Sequence, residues 1–186
     1  MRLFTGLALA PAVLQQAERI LEELRPTAEV RWAPLSNLHI TLAFIGSWDE
    51  ARLPDLQAAL AGVARCEPIA VSITGFGFFP NPHRPHSFFL AVKREPALEG
   101  LVSNIEAALV RPGCAREDRP YTPHVTLARI ARENITQLRF QIASMNHLFP
   151  IETFEATEFH LYESRPGKSG SVYTKLAAFP FGVGSQ

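Results

Sequence analysis

The chain has 186 residues, 47% hydrophobic and 19% charged, enough to bury one core as a single domain and too apolar for a disordered segment. Its 18 basic and 18 acidic residues cancel, which argues against a non-specific binder of long nucleic acid but leaves room for a local phosphate pocket. The two cysteines, Cys66 and Cys114, form neither a CxxC pair nor a disulfide framework, so a reducing compartment and small core roles are expected for them.

In chain order, RLFTGLAL (2–9) reads as a buried strand. Pro11 then opens a helix whose inward face carries Val13, Ala17, Ile20, Leu21 and Leu24 at helical spacing. The N-terminal stretch holds Arg2 as its one basic residue before that helix begins, so it is read as a strand and not as a signal peptide. No apolar run reaches membrane-spanning length, so no membrane partner and a cytoplasmic location are expected. A strand over 38–45 follows. Asp49 is placed to cap a helix with Leu53, Leu56, Leu60 and Val63 inward. Residues 68–79 read as one extended segment, with the glycines of GFGF marking a bend, and NPHRPH as a loop exposing His83 and His86. The order then restarts. HSFFLAV (86–92) is a strand, and Pro96 opens a helix with Leu98, Leu101, Ile105 and Leu109 inward. HVTLARI is a strand, about 133–144 a weaker helix, and 154–164 with 171–179 a closing pair of strands around the loop RPGKSG.

The restart has a register. HITLAFIG begins at His39 and HVTLARI at His124, 85 residues later, and Thr41 with Thr126, Pro11 with Pro96 and Phe4 with Phe89 keep that offset. Apolar residues match readily by chance; histidine, threonine and proline in register do not. The expected architecture is therefore α+β, one bilobal domain over 1–186 with a first repeat of about 1–80 and a second of about 84–181. Pseudo-two-fold symmetry would set antiparallel sheets on either side of a central cleft.

Side chains alternate along a strand, so His39 shares a face with Thr41 and His124 with Thr126. Imidazole both accepts and donates a proton near neutral pH. Two facing histidines suit an in-line displacement at phosphorus, one deprotonating the attacking oxygen and the other protonating the leaving one. The threonine hydroxyls can hydrogen-bond the non-bridging oxygens, and this chemistry requires no metal. Neither motif is joined by a cysteine or carboxylate that would complete a zinc ligand set. There is no Walker-type phosphate loop and no G-x-S-x-G elbow.

The two HxTL motifs resemble those of the 2H phosphoesterase superfamily. RWAPLSNLHITLAFIG, GFGFFPNPHRPHSFFLAV, RPYTPHVTLAR and VYTKLAAF are similar to its RNA 2′,3′-cyclic phosphodiesterase branch, the LigT-like or 2′-5′ RNA ligase proteins. The resemblance implies hydrolysis of RNA 2′,3′-cyclic phosphate ends to 2′-phosphomonoesters, with no metal or organic cofactor. It makes His39 the acid and His124 the base, although the symmetry of the sequence does not assign those roles. It makes Thr41, Thr126 and Arg129 phosphate contacts. Strict alternation sets Arg129 opposite His124, so it reaches the cleft only if the strand bends or ends. Phe89, standing where the branch often has tryptophan, is a candidate base platform. Tyr121 and Tyr173 are expected near the cleft without a catalytic role. Arg111, Arg116, Arg119 and Arg132 are either a solvated surface or a guide for a phosphodiester.

The expected partners are RNA ends or nucleotide cyclic phosphates, with no obligate protein partner. The competing readings keep the site and change its use. They are 2′-5′ ligation, hydrolysis of another small cyclic phosphate or a 2′,5′-linked oligonucleotide, and an RNA-end binding module without catalysis.

Overall fold

Segments that repeat at the 85-residue offset fold into matching elements. The computed structural model describes residues 1–63, 66–110, 120–131, 134–167 and 170–182. The first repeat supplies β1 (Arg2–Ala8), α1 (Pro11–Leu24), β2 (Arg31–Trp32), β3 (His39–Ser47), α2 (Leu53–Ala61), β4 (Ile69–Val71) and β5 (Ile73–Phe79). The second supplies β6 (Ser87–Val92), α3 (Pro96–Val110), β7 (His124–Arg129), α4 (Thr136–Ser144), β8 (Phe154–Ala156), β9 (Glu158–Gly167) and β10 (Gly170–Pro180). β1, α1, β3, β4 and β5 each begin 85 residues before β6, α3, β7, β8 and β9.

The main sheet runs β10-β9-β1-β3-β7-β6-β5, with β2 also paired to β7, and every pairing is antiparallel. Two strands cross over: β5 pairs with β6 of the following repeat, and β9 pairs with β1 of the preceding one. The registers correspond, since Phe4 faces Tyr162 and its counterpart Phe89 faces Gly77, the counterpart of Tyr162. β3 and β7 join through a single pair, Ile40 with Val125, and β4 pairs β8 about Ala70 and Glu155. Both pairs consist of a residue and its own repeat copy, which is what a two-fold axis through each pair produces. The expected duplicated, pseudo-symmetric α+β fold is the one observed.

The helices cover the face of the sheet that carries Leu3, Leu7, Ile40, Leu42, Phe88, Leu90, Val125 and Leu127, all in one core with the inward residues of α1 and α3. Those inward residues are the expected ones, with Val102 added. Each fully buried leucine, Leu21 and Leu24 among them, contributes roughly 1.5–3 kcal/mol relative to exposure. The opposite face is left for the His-x-Thr motifs.

Several boundaries differ from expectation. Asp49 caps a single 3-10 turn, accepting from the Ala51 N–H at 3.1 Å, and α2 starts only at Leu53. The run 68–79 is two strands because Ser72 ends one pairing and Ile73 begins another. β9 and β10 extend through Arg165–Gly167 and from Gly170, so most of RPGKSG is strand. The two-residue β2 is too short to show a period. His83 and His86 are exposed as expected, and Cys66 is half-buried against the core. Cys114, Arg111, Arg116, Arg119 and Arg132 lie outside the described residues. Among the described residues no helix is long and apolar enough to cross a membrane.

Candidate active site

The pairing of Ile40 with Val125 determines how the two motifs meet. Continued one residue each way, that antiparallel register sets His39 opposite Thr126 and Thr41 opposite His124. The two histidines are then diagonal neighbours, at about 7–8 Å between positions. All four side chains are half-buried.

Both imidazoles are held the same way. His39 Nδ1–H donates to the Asn37 carbonyl at 2.7 Å, and His124 Nδ1–H donates to the Thr122 carbonyl at 2.7 Å. Asn37 and Thr122 are themselves repeat copies. Fixing the proton on Nδ1 leaves Nε2 as the working nitrogen of each ring. On His39 that Nε2 accepts the Thr41 hydroxyl at 2.9 Å.

Arg129 reaches the same face through a bulge. On β6, Phe89 pairs with Thr126 but the preceding Phe88 pairs with Ala128, so Leu127 is an extra residue in β7. Alternation is broken there, Leu127 and Ala128 are both buried, and Arg129 pairs with Ser87 on the His124 side. The strand bend that Arg129 needed is thus present. β3 carries the matching bulge at Leu42, where the Ala43 N–H is taken by the Thr5 hydroxyl at 3.1 Å. It brings Phe44, the counterpart of Arg129, opposite Phe4 on the same face, 64% exposed.

Aromatic side chains wall both histidines. Phe4 lies 4.9 Å from His39 between ring centroids and Phe89 lies 5.1 Å from His124. Tyr173 stands edge-on to His39 at 5.2 Å, and Phe79 edge-on to His124 at 4.9 Å. Phe89 is only 6% exposed and stacks on Phe79 at 4.4 Å, so Phe79 is the ring of that pair with more surface to offer. Gly77 makes this possible: a Cβ there would sit 2.4 Å from Phe89 Cε2 and Cζ. Gly6 likewise yields to His39 and Tyr162, with a Cβ 2.9 Å from the Ile40 carbonyl oxygen. Tyr121 donates its hydroxyl to the Thr41 carbonyl at 3.1 Å, tying the approach to β7 onto β3. Burial raises its phenol far above the usual range, so it stays protonated. Sequence reasoning passed over Phe4, Phe44, Phe79 and Gly77. Only Phe4 left a signal, as the in-register partner of Phe89.

Both histidines titrate below the ordinary imidazole range. Burial is the main cause for His39; the Asn37 carbonyl opposes it and the charge of His124 adds to it. For His124 the order is burial, then the opposing Thr122 carbonyl, then the charge of Arg129. These influences tie the two rings and the guanidinium into one electrostatic unit. Beyond them, His160 is buried with Nε2 3.0 Å from Glu158 Oε1. Burial of Tyr162, reinforced by Glu158, pushes its hydroxyl up to about 12. Among the described residues no group of three or more histidine, cysteine or carboxylate side chains is arranged to hold a metal ion.

The chain is similar to named proteins and to solved structures over most of its length. An Archaeoglobus fulgidus RNA 2′,3′-cyclic phosphodiesterase is 30% identical over 182 residues, covering 96% of this chain and 99% of the relative. A Thermus thermophilus protein of the same name is 33% identical over 190 residues, covering 96% and 89%. The crystal structure of E. coli LigT complexed with 3′-AMP superposes with a TM-score of 0.78 at 27% identity, covering 97% of both chains. The model of the 2′-5′ RNA ligase superfamily matches residues 11–168, so the chain belongs to that superfamily.

Proposed function

We propose that the chain hydrolyses 2′,3′-cyclic phosphate ends of RNA to 2′-phosphomonoesters, using two histidines and no metal. The Ile40–Val125 pair is the observation that carries the reading, because it sets the motifs diagonally about one point on the sheet. A cyclic phosphate centred there lies between two Nε2 atoms whose Nδ1 protons are committed to backbone carbonyls. Water attacks phosphorus on the side opposite the 3′ oxygen. His124 Nε2 takes the proton of the water as the new P–O bond forms. The P–O3′ bond breaks, and His39 Nε2–H delivers its proton to the departing 3′ oxygen. Protonating His39 Nε2 also reverses its bond with Thr41, freeing that hydroxyl hydrogen for a non-bridging oxygen. The Thr126 hydroxyl donates to a non-bridging oxygen from the other strand, and Arg129 neutralises the charge that builds on the phosphoryl oxygens. The Phe79–Phe89 pair is the wall against which the base rests.

Names of relatives support the reaction class: those from A. fulgidus and T. thermophilus are RNA 2′,3′-cyclic phosphodiesterases. Incubation with a nucleoside 2′,3′-cyclic monophosphate in EDTA, followed by 31P NMR, tests the reading. The 2′-phosphate is the expected product at an undiminished rate. A 3′-phosphate product, binding without turnover, or loss of rate in EDTA each contradicts it. The family description favours a second use of the site, formation of a 2′-5′ bond. That is the same displacement, with a 5′-hydroxyl in the place of water and the 3′ oxygen again leaving.

A further inference from the structure

A second basic feature lies just past the Arg129 end of the site. A cavity of about 400 Å³ opens between the loop before β6 and the start of α4, with His83, Arg84 and His86 on one side and Asn134, Thr136 and Arg139 on the other. Four of these side chains are basic, and no carboxylate lines the cavity among the described residues. None of the four is in an ion pair with a described carboxylate. The loop is shaped for this position: Asn81 Oδ1 accepts the backbone N–H of His83 at 3.0 Å and of Arg84 at 3.1 Å. Arg139 braces it, donating to the Pro82 carbonyl with its guanidinium 5.5 Å from the centre of the Phe78 ring. The positive end of α4 adds to the field.

The cavity lies at the end of β7, just beyond Arg129. Ile130, in its lining, directly follows Arg129 and donates its N–H to the His86 carbonyl at 2.9 Å. Ile130 lies six residue steps beyond His124, about 20 Å along the direction of β7. A mononucleotide held at His124 does not cover that length; a strand of several nucleotides does.

We propose that this cavity takes a backbone phosphate of an RNA strand whose cyclic-phosphate end lies between His39 and His124, a subsite that rests on the hydrolase reading above. It makes the enzyme prefer an oligonucleotide end to a free nucleotide, with the phosphate held by Arg84 and the flanking histidines. Arg139 is left intact in the test because the loop depends on it.

The experiment compares wild type with His83→Ala/Arg84→Ala on two substrates, a nucleoside 2′,3′-cyclic monophosphate and a short oligoribonucleotide ending in the same group. The variant is expected to keep kcat and KM for the mononucleotide and to show a KM about tenfold higher for the oligonucleotide. The salt dependence of its oligonucleotide kcat/KM falls by about 0.7 in log–log slope for each phosphate that the variant no longer neutralises. An unchanged oligonucleotide KM, or an equal loss on both substrates, overturns the proposal. Should wild type turn over neither substrate, the hydrolase reading alone fails. The cavity is then judged by fluorescence anisotropy with a 3′-phosphorylated oligoribonucleotide: weaker binding by the variant upholds it, and equal binding overturns it.

Discussion

His39 and His124 are set alike by their carbonyl partners and differ in what surrounds them. His39 bonds the Thr41 hydroxyl, whereas His124 feels the positive charge of Arg129, which favours its neutral, proton-accepting form. Replacing either histidine with alanine is expected to lower kcat on a nucleoside 2′,3′-cyclic monophosphate by about 10²–10⁴ with little change in melting temperature. A loss below tenfold in steady-state assays contradicts the assignment. Arg129→Ala is expected to lower kcat/KM by about 10²–10³, with Arg129→Lys recovering part of it. Equal values for the two variants would leave the guanidinium without a role. The histidines and threonines were legible in the sequence because period-two alternation holds through both motifs. Arg129 was legible as a residue but not as a position. The bulge at Leu127 that turns it inward consists of ordinary buried apolar residues.

The strands position the site through their irregularities. Paired bulges at Leu42 and Leu127 bring Phe44 and Arg129 onto one face, and the glycine at 77 lets the Phe89 ring lie flat on β5 beside His124. Gly77→Ala puts a methyl group inside that ring's contact distance and is expected to cost about 1–3 kcal/mol in denaturant unfolding. On a Phe89→Ala background the same change should cost much less, because the two residues meet each other. Additive losses would show that the strain lies elsewhere. None of this was visible in the sequence. GFGF reads as a bend in isolation, and only the pairing of Gly77 with Phe89 across two strands gives the glycine its purpose.

At the scale of the whole molecule, the duplication was legible from one offset, since chance does not align histidine, threonine and proline together. The exchange of β5 and β9 between repeats was not, because both are strongly apolar strands and nothing in their pattern names a partner. The exchange interlocks the repeats, so neither sheet half can form from one repeat alone. Stability should also follow pH. His39, His124 and His160 all titrate below the unfolded value near 6.5, chiefly through burial. As pH falls below about 6.5, the unfolded chain takes up protons that the folded chain refuses, so folding weakens. Thermal unfolding should give a melting temperature that drops from pH 7.5 to 5.5, a drop reduced in the His39→Asn/His124→Asn double variant. A melting temperature that rises on acidification contradicts this picture.

The pH dependence of kcat/KM on a nucleoside 2′,3′-cyclic monophosphate, measured for wild type and both alanine variants, tests the paired-imidazole account most directly. Wild type should give a bell centred below the ordinary imidazole value, because burial lowers both groups. His124→Ala should remove the acidic limb, which reports loss of the base, and His39→Ala the alkaline limb, which reports loss of the acid. A wild-type profile flat between pH 5 and 9, or variants that keep both limbs, would mean that the two imidazoles do not share one phosphorus.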